Sequence, residues 1–147
     1  MKYLGGCCCG ALRYESNSAP VECGYCHCRT CQKTSAAPAL IFASFPVDDF
    51  NYSSGTATIY RSSDHGNREL CSLCGTQIAF RESGSATTVD VNVGSLDDPS
   101  ITVPDHHIWC QSQIPWFDTS DTLPRYQKER PIADESQLAD LAKSERK

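Results

Sequence analysis

Short apolar or alternating runs, separated by turn residues, make up most of this sequence. Ala11-Leu12-Arg13-Tyr14-Glu15, Ala39 to Phe45, Ala57-Thr58-Ile59-Tyr60-Arg61, Gln77-Ile78-Ala79-Phe80 and Thr88 to Val93 all have strand length. In the last of these, Val89, Val91 and Val93 alternate with Asp90 and Asn92, the period of a strand with one buried and one wet face. Between the runs lie Asn17-Ser18-Ala19-Pro20, Ser53-Ser54-Gly55, His65-Gly66-Asn67, Ser83-Gly84-Ser85 and Asp97-Asp98-Pro99, all turn chemistry. Helical signals are confined to the C-terminus. There Asp134 caps a predicted helix from Glu135 to about Lys143, with Gln137 as the return partner of a capping box. Leu138 and Leu141 are its only large apolar residues, so a short surface helix is expected. The pattern predicts a mainly β chain of short antiparallel strands: one domain over residues 1–130, then a polar tail over 131–147.

Composition narrows this picture. The chain has 147 residues, 39% hydrophobic and 21% charged, which excludes a disordered tail. Its longest apolar stretch, Ala36 to Ala43, is interrupted by Pro38 and falls far short of the ~20 residues of a spanning helix, so no membrane partner is expected. The start, Met1-Lys2-Tyr3-Leu4-Gly5-Gly6, runs into cysteines without an apolar run, and a cytoplasmic location is expected. A net charge of −5 without a Lys/Arg block argues against nucleic acid. Ten cysteines then become the informative feature. In a reducing compartment disulfides are rare, and thiols at short spacings point to metal.

Nine of the ten fall in three groups: Cys7-Cys8-Cys9-Gly10, Cys23-Gly24-Tyr25-Cys26-His27-Cys28-Arg29-Thr30-Cys31, and Cys71-Ser72-Leu73-Cys74-Gly75. Tetrahedral zinc with Zn–S near ~2.3 Å sets its sulfurs about 3.8 Å apart, so the chain must turn around the ion. Gly10 and Gly75, each just after a cysteine, suit such turns by accepting positive φ. Cys7 and Cys9 with Cys71 and Cys74 make a closed four-thiolate site; the alternative is two unrelated buried or redox pairs. Cys26, Cys28 and Cys31 offer three ligands, the arrangement of a reactive zinc with an open position. The alternative for this trio is a second structural site completed by Cys23, Cys110 or His107.

The motifs Gly6-Cys7-x-Cys9-Gly10, Arg13-Tyr14-Glu15, Cys26-His27-Cys28-x2-Cys31-Gln32-Lys33, Cys71-x2-Cys74-Gly75-Thr76-Gln77, Gly94-Ser95-Leu96-Asp97-Asp98-Pro99, His107-Ile108-Trp109 and Pro115-Trp116 occur in this order. In this the chain resembles the glutathione-dependent formaldehyde-activating enzyme family, which also includes centromere protein V, from about Leu4 to Tyr126. The resemblance implies a β-tent zinc fold and two zinc ions per chain. It places a structural zinc on Cys7, Cys9, Cys71 and Cys74, and a catalytic one on Cys26, Cys28 and Cys31. It implies carbon–sulfur lyase-type chemistry in which a small thiol such as glutathione adds to, or is released from, a small aldehyde such as formaldehyde. The centromere relative suggests the alternative of a non-enzymatic, zinc-stabilised protein-binding module. Cys8, Cys23 and Cys110 lie outside the family's pattern.

The chemistry of three thiolates agrees with thiol activation. Zinc on three thiolates carries net −1, a poorer Lewis acid than zinc on neutral imidazoles, so hydrolysis is disfavoured. The sequence also lacks His-Glu-x-x-His and the His-x-Glu of zinc deaminases. Glutathione is anionic and needs a local basic patch in this acidic chain. Arg29 and Lys33 beside the trio are the first candidates, Arg61 and Arg68 the next, with Trp109 and Trp116 as pocket walls. His107 reads as a core or supporting histidine rather than a ligand.

Overall fold

The computed structural model describes residues 1–84 and 86–131. Within them the strands are β1 (Tyr3–Gly6), β2 (Arg13–Ser16), β3 (Glu22–Cys26), β4 (Leu40–Pro46), β5 (Phe50–Ser54), β6 (Thr58–Ser63), β7 (Gly66–Leu70), β8 (Gln77–Glu82), β9 (Thr88–Asn92) and β10 (His106–Ile108), with one helix, α1 (Arg29–Ser35). β1, β2 and β5 form a small sheet. The other seven form a large sheet in the order β10-β3-β4-β9-β8-β7-β6. The fold is mainly β, as expected. No helix among the described residues is long and apolar enough to cross a membrane. The helix predicted over Glu135 to Lys143 lies outside the described residues.

Strand β4 runs through the middle of the large sheet, and Phe42, Ala43, Ser44 and Phe45 are buried in succession because both its faces are covered. One face meets the small sheet in the main core, where Tyr3, Leu12, Tyr14, Phe45, Phe50, Ile78, Val89 and Val91 pack together. The other face supports a smaller core of Cys26, Cys31, Leu40, Phe42 and Ile108. The cysteine trio is therefore part of a packed layer rather than a surface loop.

Two elements depart from the antiparallel strand pattern. The β10–β3 pair is parallel: after β9 the chain makes a long connection and returns along the far edge of the sheet in the same sense as β3. His106 lies opposite Gly24 in this register, and a Cβ at Gly24 would come within 2.8 Å of the His106 ring. Helix α1 was not predicted. It carries no apolar stripe, and its cap is a cysteine: Cys28 Sγ accepts the Cys31 N–H at 3.3 Å.

Candidate metal centres and the adjoining cleft

Two turns facing each other build the four-cysteine cluster. Cys7 and Cys9 sit in the turn between β1 and β2, Cys71 and Cys74 in the turn between β7 and β8. Each turn closes on a glycine with positive φ. Gly10 (φ 80°) donates its N–H to the Cys7 carbonyl, and Gly75 (φ 76°) donates to that of Cys71. The four Sγ atoms lie within 4.8 Å of one another, with Cys7–Cys9 at 3.5 Å and Cys9–Cys71 at 3.8 Å. These separations match the ~3.8 Å edge of a tetrahedral thiolate site. Backbone N–H groups already point at sulfur, as Leu12 does at Cys7 Sγ (3.2 Å). Thr76 joins the two turns: its hydroxyl accepts the Cys8 N–H at 3.1 Å and bonds Cys74 Sγ at 3.2 Å. That hydroxyl and the Thr76 backbone hold the Cys74 thiol down at about 5.

The second cluster forms where β3 runs into α1. Cys26 ends the strand, Cys28 caps the helix and Cys31 lies in its first turn, all three sulfurs within 4.8 Å of one another. Hydrogen bonds from Cys26 and Cys31 hold the Cys28 thiol far below its usual value. Its bond with Cys28 pushes Cys26 up. Three thiolates this close would repel one another unless a cation joined them, so the donor set fits a metal ion. All-sulfur donors with this spacing suit zinc.

Among the described residues no further His, Cys or carboxylate joins this trio. Strand alternation turns Cys23 into the main core, where burial pushes its thiol up to about 11. Cys110 is also absent from the cluster, and burial raises its thiol. His107 has no free nitrogen. Its Nδ1 shares a hydrogen bond with His27 Nε2 at 2.8 Å, and its Nε2 reaches the Asp121 carboxylate at 3.1 Å. If Nε2 donates to that carboxylate, then His27 Nε2 donates to His107. His27 Nδ1 is left as a buried acceptor without a partner. Burial lowers His27 to about 4, so this ring is neutral. Tyr25 stacks on His107 at 4.4 Å, and Gln32 Nε2 donates to the carbonyls of His27 (2.7 Å) and Ser112 (3.0 Å). These contacts fix the backbone on which Cys26 and Cys28 stand.

All three cysteines line a cleft of about 430 Å³, within the range of small-molecule sites. Trp109 forms part of its wall, with its indole N–H donated to Glu129 at 2.8 Å. Arg29 is also on the wall and bonds the Gln32 side chain. Lys33 and Trp116 are not: both line a shallow hollow on the far side of α1, where Trp116 is exposed. Arg61 pairs with Asp64 outside the cleft. The basic residue brought deepest is Arg68, whose Nη2 donates to Cys31 Sγ at 3.4 Å. In the sequence it stands behind Arg29 and Lys33 as a candidate because those two lie beside the trio along the chain and Arg68 does not. Facing these cations, Glu22, Asp90 and Glu129 line the same cleft. Burial raises Asp90 to about 6, while the Ser44 hydroxyl donates to it at 2.6 Å.

A crystal structure of a Rhodobacter sphaeroides protein shares this fold with a TM-score of 0.54, at 24% identity over 71% of this chain and 98% of that one. No curated protein matches the sequence. A family model for the glutathione-dependent formaldehyde-activating enzyme matches residues 2–112, a stretch that holds both cysteine clusters, Arg68 and Trp109, and the chain belongs to that family.

Proposed function

We propose that this chain is a two-zinc, carbon–sulfur lyase-type enzyme. In this reading it joins a small thiol of the glutathione type to an aldehyde such as formaldehyde, or releases them again. The observation that carries the reading is the trio of thiols converging in a cleft, with no fourth His, Cys or carboxylate joining it among the described residues. Cys7, Cys9, Cys71 and Cys74 would hold a closed, structural ion; Cys26, Cys28 and Cys31 would hold the reactive one. A zinc ion on three thiolates offers a fourth sulfur a place to bind and lowers its affinity for a proton.

The chain's own groups do the rest. A thiol of pKa near 8.5 is only about 3% ionised at pH 7, so full ionisation gains at most ~30-fold, or about 2 kcal/mol. Holding thiol and aldehyde together is worth more, up to ~7–11 kcal/mol in good cases. The cleft's mixed lining suits glutathione, which carries two carboxylates and one ammonium. Arg29 faces the carboxylates, and Glu22 and Asp90 face the ammonium. Trp109, pinned by Glu129, excludes water from one side. In the reaction the thiol proton leaves to solvent, sulfur forms a bond to the carbonyl carbon, and the carbonyl oxygen takes the electron pair and then a proton. A concave cleft around the trio supports this reading over the protein-binding module, which needs an exposed face instead.

Two measurements test the reading. Elemental analysis of protein purified without chelator should find two zinc ions per chain, and one in Cys28→Ser. Exchange NMR with ¹³C-formaldehyde and glutathione should show interconversion faster than the spontaneous rate, lost in Cys28→Ser. Two zinc ions without any acceleration would favour the module.

A further inference from the structure

Arg68 stands in the middle of β7 and is only 4% exposed. A guanidinium that deep must find acceptors and a counter-charge. Its Nε donates to Ser62 Oγ at 3.2 Å, its Nη2 to Cys31 Sγ at 3.4 Å, and its plane lies over the Phe80 ring, 5.1 Å from the centroid. The neighbouring carboxylate, Glu69, belongs to Arg81 on the opposite face of the strand. Among the described residues no carboxylate pairs with Arg68, and its remaining amino group, Nη1, has no hydrogen-bond partner. The residue lines the cleft together with Cys31. One side of this cation is thus committed to a cysteine of the trio, and the other is unused at the same place.

The geometry points to Arg68 as the residue that captures the incoming thiol: Nη2 stays on Cys31 while Nη1 takes the sulfur that binds beside it. This rests on the open three-cysteine centre proposed above and adds its selectivity. Three thiolates around a divalent ion carry net −1, and a fourth thiolate makes the group −2. Arg68 returns that total to −1. A neutral ligand, such as water or imidazole, adds no charge and gains nothing from the guanidinium. The ligand class selected is therefore an anionic sulfur, with the thiol's proton released to water. At an effective dielectric of about 20 and a separation near 5 Å, one charge pair is worth about two orders of magnitude in affinity. The open side of the cleft reduces this to about 10- to 100-fold.

Cobalt(II) in place of zinc makes the fourth ligand visible, and the relevant absorption bands are those missing from Cys28→Ser. At fixed pH the full chain is titrated with 2-mercaptoethanol and, separately, with imidazole. In Arg68→Gln the 2-mercaptoethanol concentration for half-maximal change should rise about 10- to 100-fold, while that for imidazole stays within about twofold. Arg68→Lys, which keeps the charge, should recover most of the thiol affinity. An equal change for both ligands in Arg68→Gln, or a change for neither, overturns the capture role. Should Arg68→Gln fail to fold, Ser62→Ala carries the test by freeing Nε. A severalfold loss for the thiol alone is then expected, and an unaltered thiol-to-imidazole ratio overturns the role. A wild-type protein that responds to neither ligand has a filled fourth position. That outcome removes the open-centre reading and the capture role together. A wild type that responds to both, with no loss in Arg68→Gln, removes the capture role alone.

Discussion

Replacing Cys71 by serine should cost the fold far more than replacing Cys28. Cys71 is buried, and through the sulfur cluster it ties together segments 62 positions apart in sequence. With the ion treated as a cross-link, closing a loop of that length removes about 4 kcal/mol of chain entropy from the unfolded state. For a chain of this size each kcal/mol moves the transition by roughly 2–4 °C, so Cys71→Ser should melt roughly 10–15 °C lower. Cys28 closes only the short turn between β3 and α1, which Gln32 also holds through its bonds to His27 and Ser112. Cys28→Ser should therefore stay within a few degrees of wild type while losing its second metal equivalent. Calorimetric scans with excess zinc and with chelator measure both effects. Chelator should bring wild type down toward Cys71→Ser and leave that variant nearly unchanged. If the two variants melt alike, the trio is as structural as the four-cysteine cluster, and the assignment of separate roles fails.

Two further outcomes follow from packing and charge. Asp90 has a folded-state pKa of about 6 against an ordinary 3.8, so the folded protein binds the proton more tightly. The stability this group allows is complete at low pH and is lost as pH rises through about 6, by about 3 kcal/mol at most. Asp90→Asn, which still accepts from Ser44, should thus melt higher than wild type at pH 7.5. The advantage should shrink toward pH 5, a difference that separates this effect from acid release of metal; an advantage independent of pH would contradict it. Gly24→Ala puts a methyl group 2.8 Å from the buried His106 ring and should destabilise by roughly 1–3 kcal/mol in denaturant titrations. An unchanged midpoint would mean that β10 yields without cost.

Both cysteine clusters were legible in the sequence because each is built from cysteines at short local spacings and of one residue type. Cys7-x-Cys9 and Cys71-x2-Cys74 need only that two hairpin turns meet, and the glycines behind them showed where the chain turns. The alternating valines of β9 were equally plain, since one face packs in the main core while Asp90 turns the other way. Helix α1 was hidden because seven residues with a thiol cap carry neither an apolar stripe nor a Ser, Thr, Asp or Asn at the cap. Strand β10 was hidden because three residues rich in histidine do not read as an edge strand, and its parallel partner is distant in sequence. Arg68 and Asp90 are charged residues that tertiary packing places at the cleft, the first buried and the second half-buried. Local pattern assigns both to solvent, and their role depends on which strands end up adjacent.

The local chain path also explains why one cluster brings together four cysteines and the other three. Two antiparallel hairpins each present a pair of sulfurs, and facing turns complete a tetrahedron from four. At the end of β3 the chain passes directly into α1, so one segment supplies all three sulfurs. A fourth would have to come from another element packed around it. Two elements that reach this region are already committed: β10 gives its histidine to the His27–His107–Asp121 chain, and β7, from the other half of the large sheet, brings the Arg68 guanidinium to Cys31. A guanidinium next to the trio cannot ligate a metal, yet it attracts an anion to this side of the cleft. If the centre is open as proposed, the packing that brings Arg68 to the trio therefore also supplies the charge that favours an external thiolate there.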